Sequence, residues 1–190
     1  MSTTASPFGV RAVYHPSGVI RTRTLSGFTS IPSAAVYKGD LVKLTGDGAI
    51  AAIIVANDAA YGIFDGCRYN DATGKPTYSP YWPASLSGVT NIEWYVIPFD
   101  PLLECEIQGA TGSWSVADIG DSADMVVTAG NVNTGVSGSA LNATKKGAAA
   151  VGNFRILGLS PYLDNAWSDS FPILRVQIAK NQILTEVNSI

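Results

Sequence analysis

Residues 36–66 limit the fold more than any other part of the chain. Short apolar runs alternate there with glycine-bearing turns. Val36-Tyr37 leads through Lys38-Gly39-Asp40 into Leu41-Val42-Lys43-Leu44, then through Gly46-Asp47-Gly48 into Ala49 to Val55, and finally into Ala60 to Gly66. This pattern predicts strand, tight turn, strand, short loop, strand. Strand alternation puts Leu41 and Lys43 on one side and Val42 and Leu44 on the other. Gly46-Asp47-Gly48 tolerates the positive φ of a tight reversal. Gly62 inside an apolar run marks a close backbone approach or a bulge. The segment reads as scaffold, with no chemistry of its own.

The rest of the chain extends this into an all-β reading. Residues 1–33 form an extended N-terminal arm, because Pro7, Pro16 and Pro32 with Gly9, Gly18 and Gly27 interrupt any helix. Residues 34–190 form a β-rich domain with loop excursions at 67–91 and 128–147. Strands are expected at 92–97, 103–108, 153–159 and 173–178, and a short helix is weighed at 117–123. The first excursion is dense in aromatic residues and stiffened by Pro76, Pro80 and Pro83, so it serves as a contact surface or as a packed lid over the core. The second is rich in Gly, Ser, Asn and Thr and reads as a surface excursion anchored weakly by Val136 and Leu141.

Charge separates along the chain. No acid precedes Asp40, whereas Arg11, Arg21, Arg23 and Lys38 do. No Lys or Arg lies between Lys75 and Lys145, an interval holding Glu93, Asp100, Glu104, Glu106, Asp118, Asp121 and Asp124. A basic front and an acidic middle can steer like subunits head to tail or place the arm on an acidic partner. Phe8, Arg11, Tyr14, Arg21, Arg23 and Phe28 are the residues of the arm suited to anchoring it on such a surface. The alternative is that the arm covers an edge strand of its own domain. Charged residues make up 14% of the chain, below the roughly 25% usual for soluble domains, which suggests extensive burial, part of it between subunits.

Motifs for chemistry are sparse. His15 is the only histidine, and on an arm it is poorly oriented for a Ser-His-Asp or Cys-His arrangement. Cys67 and Cys105 match neither a CxxC nor a zinc spacing and are expected to be reduced. Asp118, Asp121 and Asp124 do not have the spacing of an EF-hand loop. Phosphate-binding loops of the GxxxxGK[ST] or GxGxxG type do not occur. Glu104 and Glu106 share a strand face and lie roughly 7 Å apart by strand geometry, within the range of glycosidase carboxylate pairs. A solvated strand face accounts for them equally well. The expectation is no catalytic residue, no metal, no cofactor, no nucleic-acid partner and no membrane span. The N-terminus lacks the basic and apolar regions of a signal peptide, so the product is expected to stay where it is made.

Several segments together resemble structural proteins of tailed bacteriophages, in particular head decoration (cement) proteins. They are Ser6-Pro7-Phe8-Gly9-Val10-Arg11 with His15-Pro16-Ser17-Gly18; Tyr37 to Leu44 with Asp47-Gly48; Tyr61 to Gly66; Asp71 to Pro76 with Ser79 to Pro83; Phe154 to Leu159; and Asp164 to Trp167. The resemblance implies a small β-barrel, β-tulip-like or sandwich body on the outside of an icosahedral head, in the virion and assembled in the host cytoplasm. It also implies the major capsid protein as partner, a homo-oligomer with a trimer favoured, and an arm that touches the capsid. Residues 67–91 and 128–147 would be the excess over the smallest such proteins and would form a protruding lobe. A second class is a head or tail fibre module binding host surface glycans through Tyr78, Tyr81 and Trp82. A third is a hydrolase built on Glu104 and Glu106.

Overall fold

Short extended runs become strands that alternate between two apolar cores. The computed structural model describes residues 3–28, 30, 32–46, 49–52, 58–146 and 150–183. In chain order the strands are β1 (Arg11–Tyr14), β2 (Arg23–Ser26), β3 (Val36–Tyr37), β4 (Leu41–Thr45), β5 (Ala49–Ala52), β6 (Gly62–Asn70) and β7 (Pro76–Ser79). They continue as β8 (Tyr81–Trp82), β9 (Thr90–Pro98), β10 (Glu104–Gln108), β11 (Ser122–Val126), β12 (Ala140–Lys145), β13 (Phe154–Leu159) and β14 (Ile173–Ile178). The segment weighed as a helix contributes only a 3-10 turn at Val116–Asp118. The protein is therefore mainly β, as the sequence indicates.

One sheet, here sheet A, has the order β1-β10-β14-β13-β11-β12. Sheet B has the order β2-β9-β6-β4-β5, with β7 also paired to β6, and β3 and β8 form a two-stranded ribbon. Among the described residues neither sheet closes into a barrel, one of the three bodies expected beside the β-tulip-like and the sandwich. Each path ends in edge strands, one of them in each sheet a strand of the N-terminal segment; the β12 edge is partly covered, since Leu141 O accepts from Ala110 N–H at 2.8 Å.

The alternation inferred for residues 41–44 explains how sheet B is buried on both sides. Leu41 and Ile63 enter a core lined mainly by sheet A residues such as Cys105, Ile107, Phe154 and Val176. Val42 and Phe64, each one residue later, enter a second core with Tyr69, Trp82, Trp94 and Val96. Successive residues of a strand point to opposite faces, so a strand buried on both sides needs apolar residues in sequence rather than in alternation. A bulge between Phe64 and Gly66 inserts one residue and resets the phase. Cys67 and Tyr69 then follow Phe64 into the second core, and Arg68 comes to the opposite face. A Cβ at Gly62 would collide with the backbone at Ile97, the close approach expected there.

The 1–33 segment is not a free arm. β1 pairs with β10 and β2 with β9. Val10 is buried in the first core, and Leu25 and Phe28 pack against the second. Where the segment crosses the Lys38-Gly39-Asp40 turn, Gly9 (φ +69°) and Gly39 (φ +91°) meet backbone to backbone, and Val10 N–H donates to Gly39 O at 2.9 Å. A side chain at either position would force the crossing apart.

Both excursions are also integrated into the body. β6 continues into the first one, which then turns through β7 and β8, and Trp82 is fully buried. In the second, Ser137 and Ser139 are buried, Ser137 N–H donates to Lys38 O at 2.9 Å, and β12 is the far edge strand of sheet A. These contacts replace the protruding lobe: the small buried hydroxyls find partners, Ser137 donating to the Asp40 carboxylate and Ser139 to Thr128 O. The Asp47-Gly48 turn, residues 53–57, Gly147 and the tail from residue 184 lie outside the described residues.

Candidate interaction surface

The polar face of β10 receives the first part of the N-terminal segment. Ser6 N–H donates to Gln108 Oε1 at 2.8 Å, and Gln108 Nε2 donates to Thr4 O at 3.2 Å. Arg11 Nη2 lies 2.6 Å from Glu106 Oε2, and the Tyr162 hydroxyl donates to the same oxygen at 2.8 Å. Arg175 Nη1 donates to Glu104 Oε2 at 2.9 Å. Glu106 is only 2% exposed and Gln108 only 4%, so the solvated strand face expected there is covered at these two positions, while the Glu104 side chain stays 29% exposed. Burial pushes the Glu106 carboxyl up, but the hydrogen bonds from Arg11 and Tyr162 outweigh it and hold the pKa below its ordinary 4.5. A carboxylate kept ionised by an arginine and a tyrosine hydroxyl is suited to structure rather than to the proton donation a glycosidase acid performs.

The six arm residues divide into two groups. Phe8, Arg11 and Phe28 are used internally. Arg11 lies over the Phe8 ring at 4.9 Å, and Phe28 meets Trp94 edge-on at 5.9 Å. Tyr14, Arg21 and Arg23 are exposed. Arg23 reaches the Tyr61 hydroxyl at 3.4 Å. Among the described residues neither Arg21 nor Arg23 has a carboxylate partner, in contrast to Arg11, Arg68 and Arg175. Val19 and Ile20 between them are also exposed, 51% and 37% respectively.

His15 is brought between Ser17 and Asp100, at 2.7 Å from Ser17 Oγ through Nδ1 and 3.3 Å from Asp100 Oδ1 through Nε2. The three line a hollow of 450 Å³. The arrangement follows from turn geometry: Gly18 N–H donates to His15 O at 2.8 Å. Ser17 N–H also approaches Nδ1, at 3.2 Å, and Val19 N–H approaches Ser17 Oγ, at 3.4 Å. The hydroxyl and imidazole are therefore tied up inside one exposed turn.

The aromatic contact loop is redistributed. Trp82 is fully buried and packs on Trp94 at 5.7 Å and on Tyr69 at 5.5 Å; its indole N–H donates to Pro32 O at 3.2 Å. Tyr81 stacks on Tyr37 at 5.5 Å. Trp82 forms the lid, because β8 turns it into the second core; Tyr81, one residue earlier, is half-buried and faces the other way, onto Tyr37. Only Tyr78 remains open, 70% exposed. Sequence reasoning placed Arg68 near these rings but missed Glu93 and Tyr95 on the same face. The cross-strand register that joins them is long-range, and only the alternation around Trp94 hinted at it.

Both cysteines are free and buried; burial pushes the Cys67 thiol up to about 12. Among the described residues no group of His, Cys, Asp and Glu could hold a metal ion, and no helix is long and apolar enough to cross a membrane.

No protein family matches the chain, and no curated protein or solved structure is detectably similar to it.

Proposed function

We propose that the chain is a decoration protein of a tailed-phage head, bound to the outer surface of the icosahedral shell and stabilising it against internal DNA pressure. The observation that carries this reading is the surface presented by the N-terminal segment. It supplies an open edge strand to each sheet, and between those strands it exposes Val19, Ile20 and Arg21, with Tyr14 and Arg23 at the flanks. An open edge offers unpaired backbone N–H and C=O groups to a second chain. Two arginines with no carboxylate partner among the described residues complement an acidic surface on the major capsid protein.

The role is mechanical. A clamp across a capsomer seam adds buried interface, with roughly 800 Å² per partner sufficient for a stable contact. A trimer at a local three-fold position would multiply that contact if its copies are physically joined. The protein would then belong to the virion exterior, after assembly in the host cytoplasm.

Co-sedimentation of the purified chain with expanded, undecorated heads of the parent virus tests this reading. The expected result is saturable binding at an integer number of copies per local three-fold, weakened at least tenfold in the Arg21→Glu/Arg23→Glu variant, about 1.4 kcal/mol or more. Absence of binding to heads, or binding indifferent to that charge reversal, overturns it. Deletion of residues 1–33 is the poorer test, because Val10 and Phe28 belong to the packed body.

A further inference from the structure

Three neighbouring strands of sheet B carry a continuous row of side chains on the face opposite the second core. The register sets Tyr78 of β7 beside Arg68 of β6, and Arg68 beside Glu93 of β9, while Tyr95 lies opposite Gly66. The Arg68 guanidinium sits over the Tyr78 ring at 5.7 Å. Its Nη1 donates to Glu93 Oε1 at 3.2 Å, and the Tyr95 hydroxyl donates to Glu93 Oε2 at 3.4 Å. Nearer β4 the same face is closed, where Ile63 and Ile97 pack into the first core. Past the Phe64–Gly66 bulge it is open to solvent.

Two hollows flank the row. One, of 630 Å³, lies at the end of the sheet, lined by Arg68, Glu93, Asn91 and Ser26 and, from the second-core side, by Phe28, Val89 and Ile92; the other, of 270 Å³, is lined by Tyr78 and Tyr95 with Ser79 and Pro80. A ligand crossing the row would place one unit in each hollow, so an oligomer fits better than a single ring.

The chemistry of the row selects the ligand class. Tyr78 gives a flat apolar platform with one side free. Arg68 supplies several donors, Glu93 supplies acceptors, and the Tyr95 hydroxyl does either. Donors and acceptors fixed side by side match adjacent hydroxyl groups, each of which both gives and takes a hydrogen bond. Glu93 neutralises Arg68, and Asp65 lines the second hollow, so a phosphate or sulfate backbone lacks the positive groove it requires. We propose that the open face of sheet B around Tyr78, Arg68, Glu93 and Tyr95 binds a neutral polysaccharide chain. This site is separate from the Tyr14, Arg21 and Arg23 surface, and its test does not depend on the capsid reading.

The experiment is titration of the intact chain against immobilised neutral hexasaccharides, comprising α- and β-linked glucans, a mannan and a galactan, with dextran sulfate as polyanion. Saturable binding to at least one neutral series is expected. Tyr78→Ala should weaken it about tenfold or more, as expected for loss of a stacking platform, and Glu93→Gln should weaken it about threefold, with wild-type melting curves in both. Saturation-transfer NMR on the unmodified chain should show sugar protons receiving magnetisation from tyrosine. The proposal is overturned if no neutral sugar binds, if dextran sulfate alone binds, or if Tyr78→Ala binds as the wild type does.

Discussion

The face of β10 carrying Glu104, Glu106 and Gln108 and the face of sheet B carrying Arg68, Glu93 and Tyr95 look alike in sequence. Each alternates polar residues with buried ones, Cys105 and Ile107 in the first case and Cys67 and Trp94 in the second. One face is covered by the N-terminal segment and the other is open. In both, a carboxylate meets an arginine, yet Glu106 is 2% exposed, whereas the Glu93 and Arg68 side chains are each about one-third exposed, 31% and 32%. Alternation therefore decides which residues share a face, and the rest of the chain decides whether that face meets water.

The strongest way to break the contrast is to uncover the far side of sheet B, opposite the open row. Trp82 seals that side against Trp94 and Tyr69. Trp82→Ala should cost about 3–5 kcal/mol, the usual penalty for emptying a large aromatic site, read as a lower denaturant midpoint in urea. A loss below about 1 kcal/mol would mean that the β3–β8 ribbon is not the seal it looks to be.

Next comes the covered face of β10. Glu106→Ala removes the acceptor of both Arg11 and Tyr162. Arg11 is itself half exposed and can rehydrate, so the expected cost is about 2–3 kcal/mol rather than the full penalty of an orphaned buried ion. Proteolysis should open first in residues 1–14. The pH dependence has a definite sign. The folded pKa lies below the ordinary 4.5, so this stabilisation is fully present above that value and is lost as pH falls through the lower, folded one. Asp40 opposes the trend. Burial raises its pKa despite hydrogen bonds from Ser137 and the Tyr37 backbone, so its protonation recovers part of the loss. Glu106→Gln should flatten the acid limb of the stability curve. An acid limb identical to that of the wild type would mean that Glu106 is not the group being titrated.

These residues also show what could be read before folding. The Lys38-Gly39-Asp40 turn, the two-sided strand after it and the close approach at Gly62 rest on local alternation and backbone sterics, and all were legible. The destination of the N-terminal segment was not, because Arg11 finds Glu106 across 95 residues. The signal was present as charge: a segment without acids and a middle without bases. That complementarity is met in part inside one chain, where it had been read as steering between chains. Trp82 stayed undecided between contact surface and packed lid for a related reason, since a Pro-rich aromatic stretch looks the same whether a two-residue strand turns its tryptophan inward or leaves it out. Tyr78 alone kept the expected exposure.

The smallest effect sharpens the contrast most. Tyr78 precedes Trp82 by four residues and is 70% exposed. Its contacts are the Arg68 guanidinium on one side and the β6 pairing through its backbone, which any residue supplies. Tyr78→Ala should therefore change stability by no more than about 0.5 kcal/mol, the range of surface substitutions that leave no cavity and orphan no buried group. β7 must still pair, because its four register positions with β6 involve main chain only. Urea midpoints measured alongside those of Trp82→Ala would show two aromatic truncations in one turn-rich stretch differing several-fold in cost. If Tyr78→Ala instead costs as much as Glu106→Ala, the ring is part of the packing, the row is not open, and the carbohydrate face loses its platform.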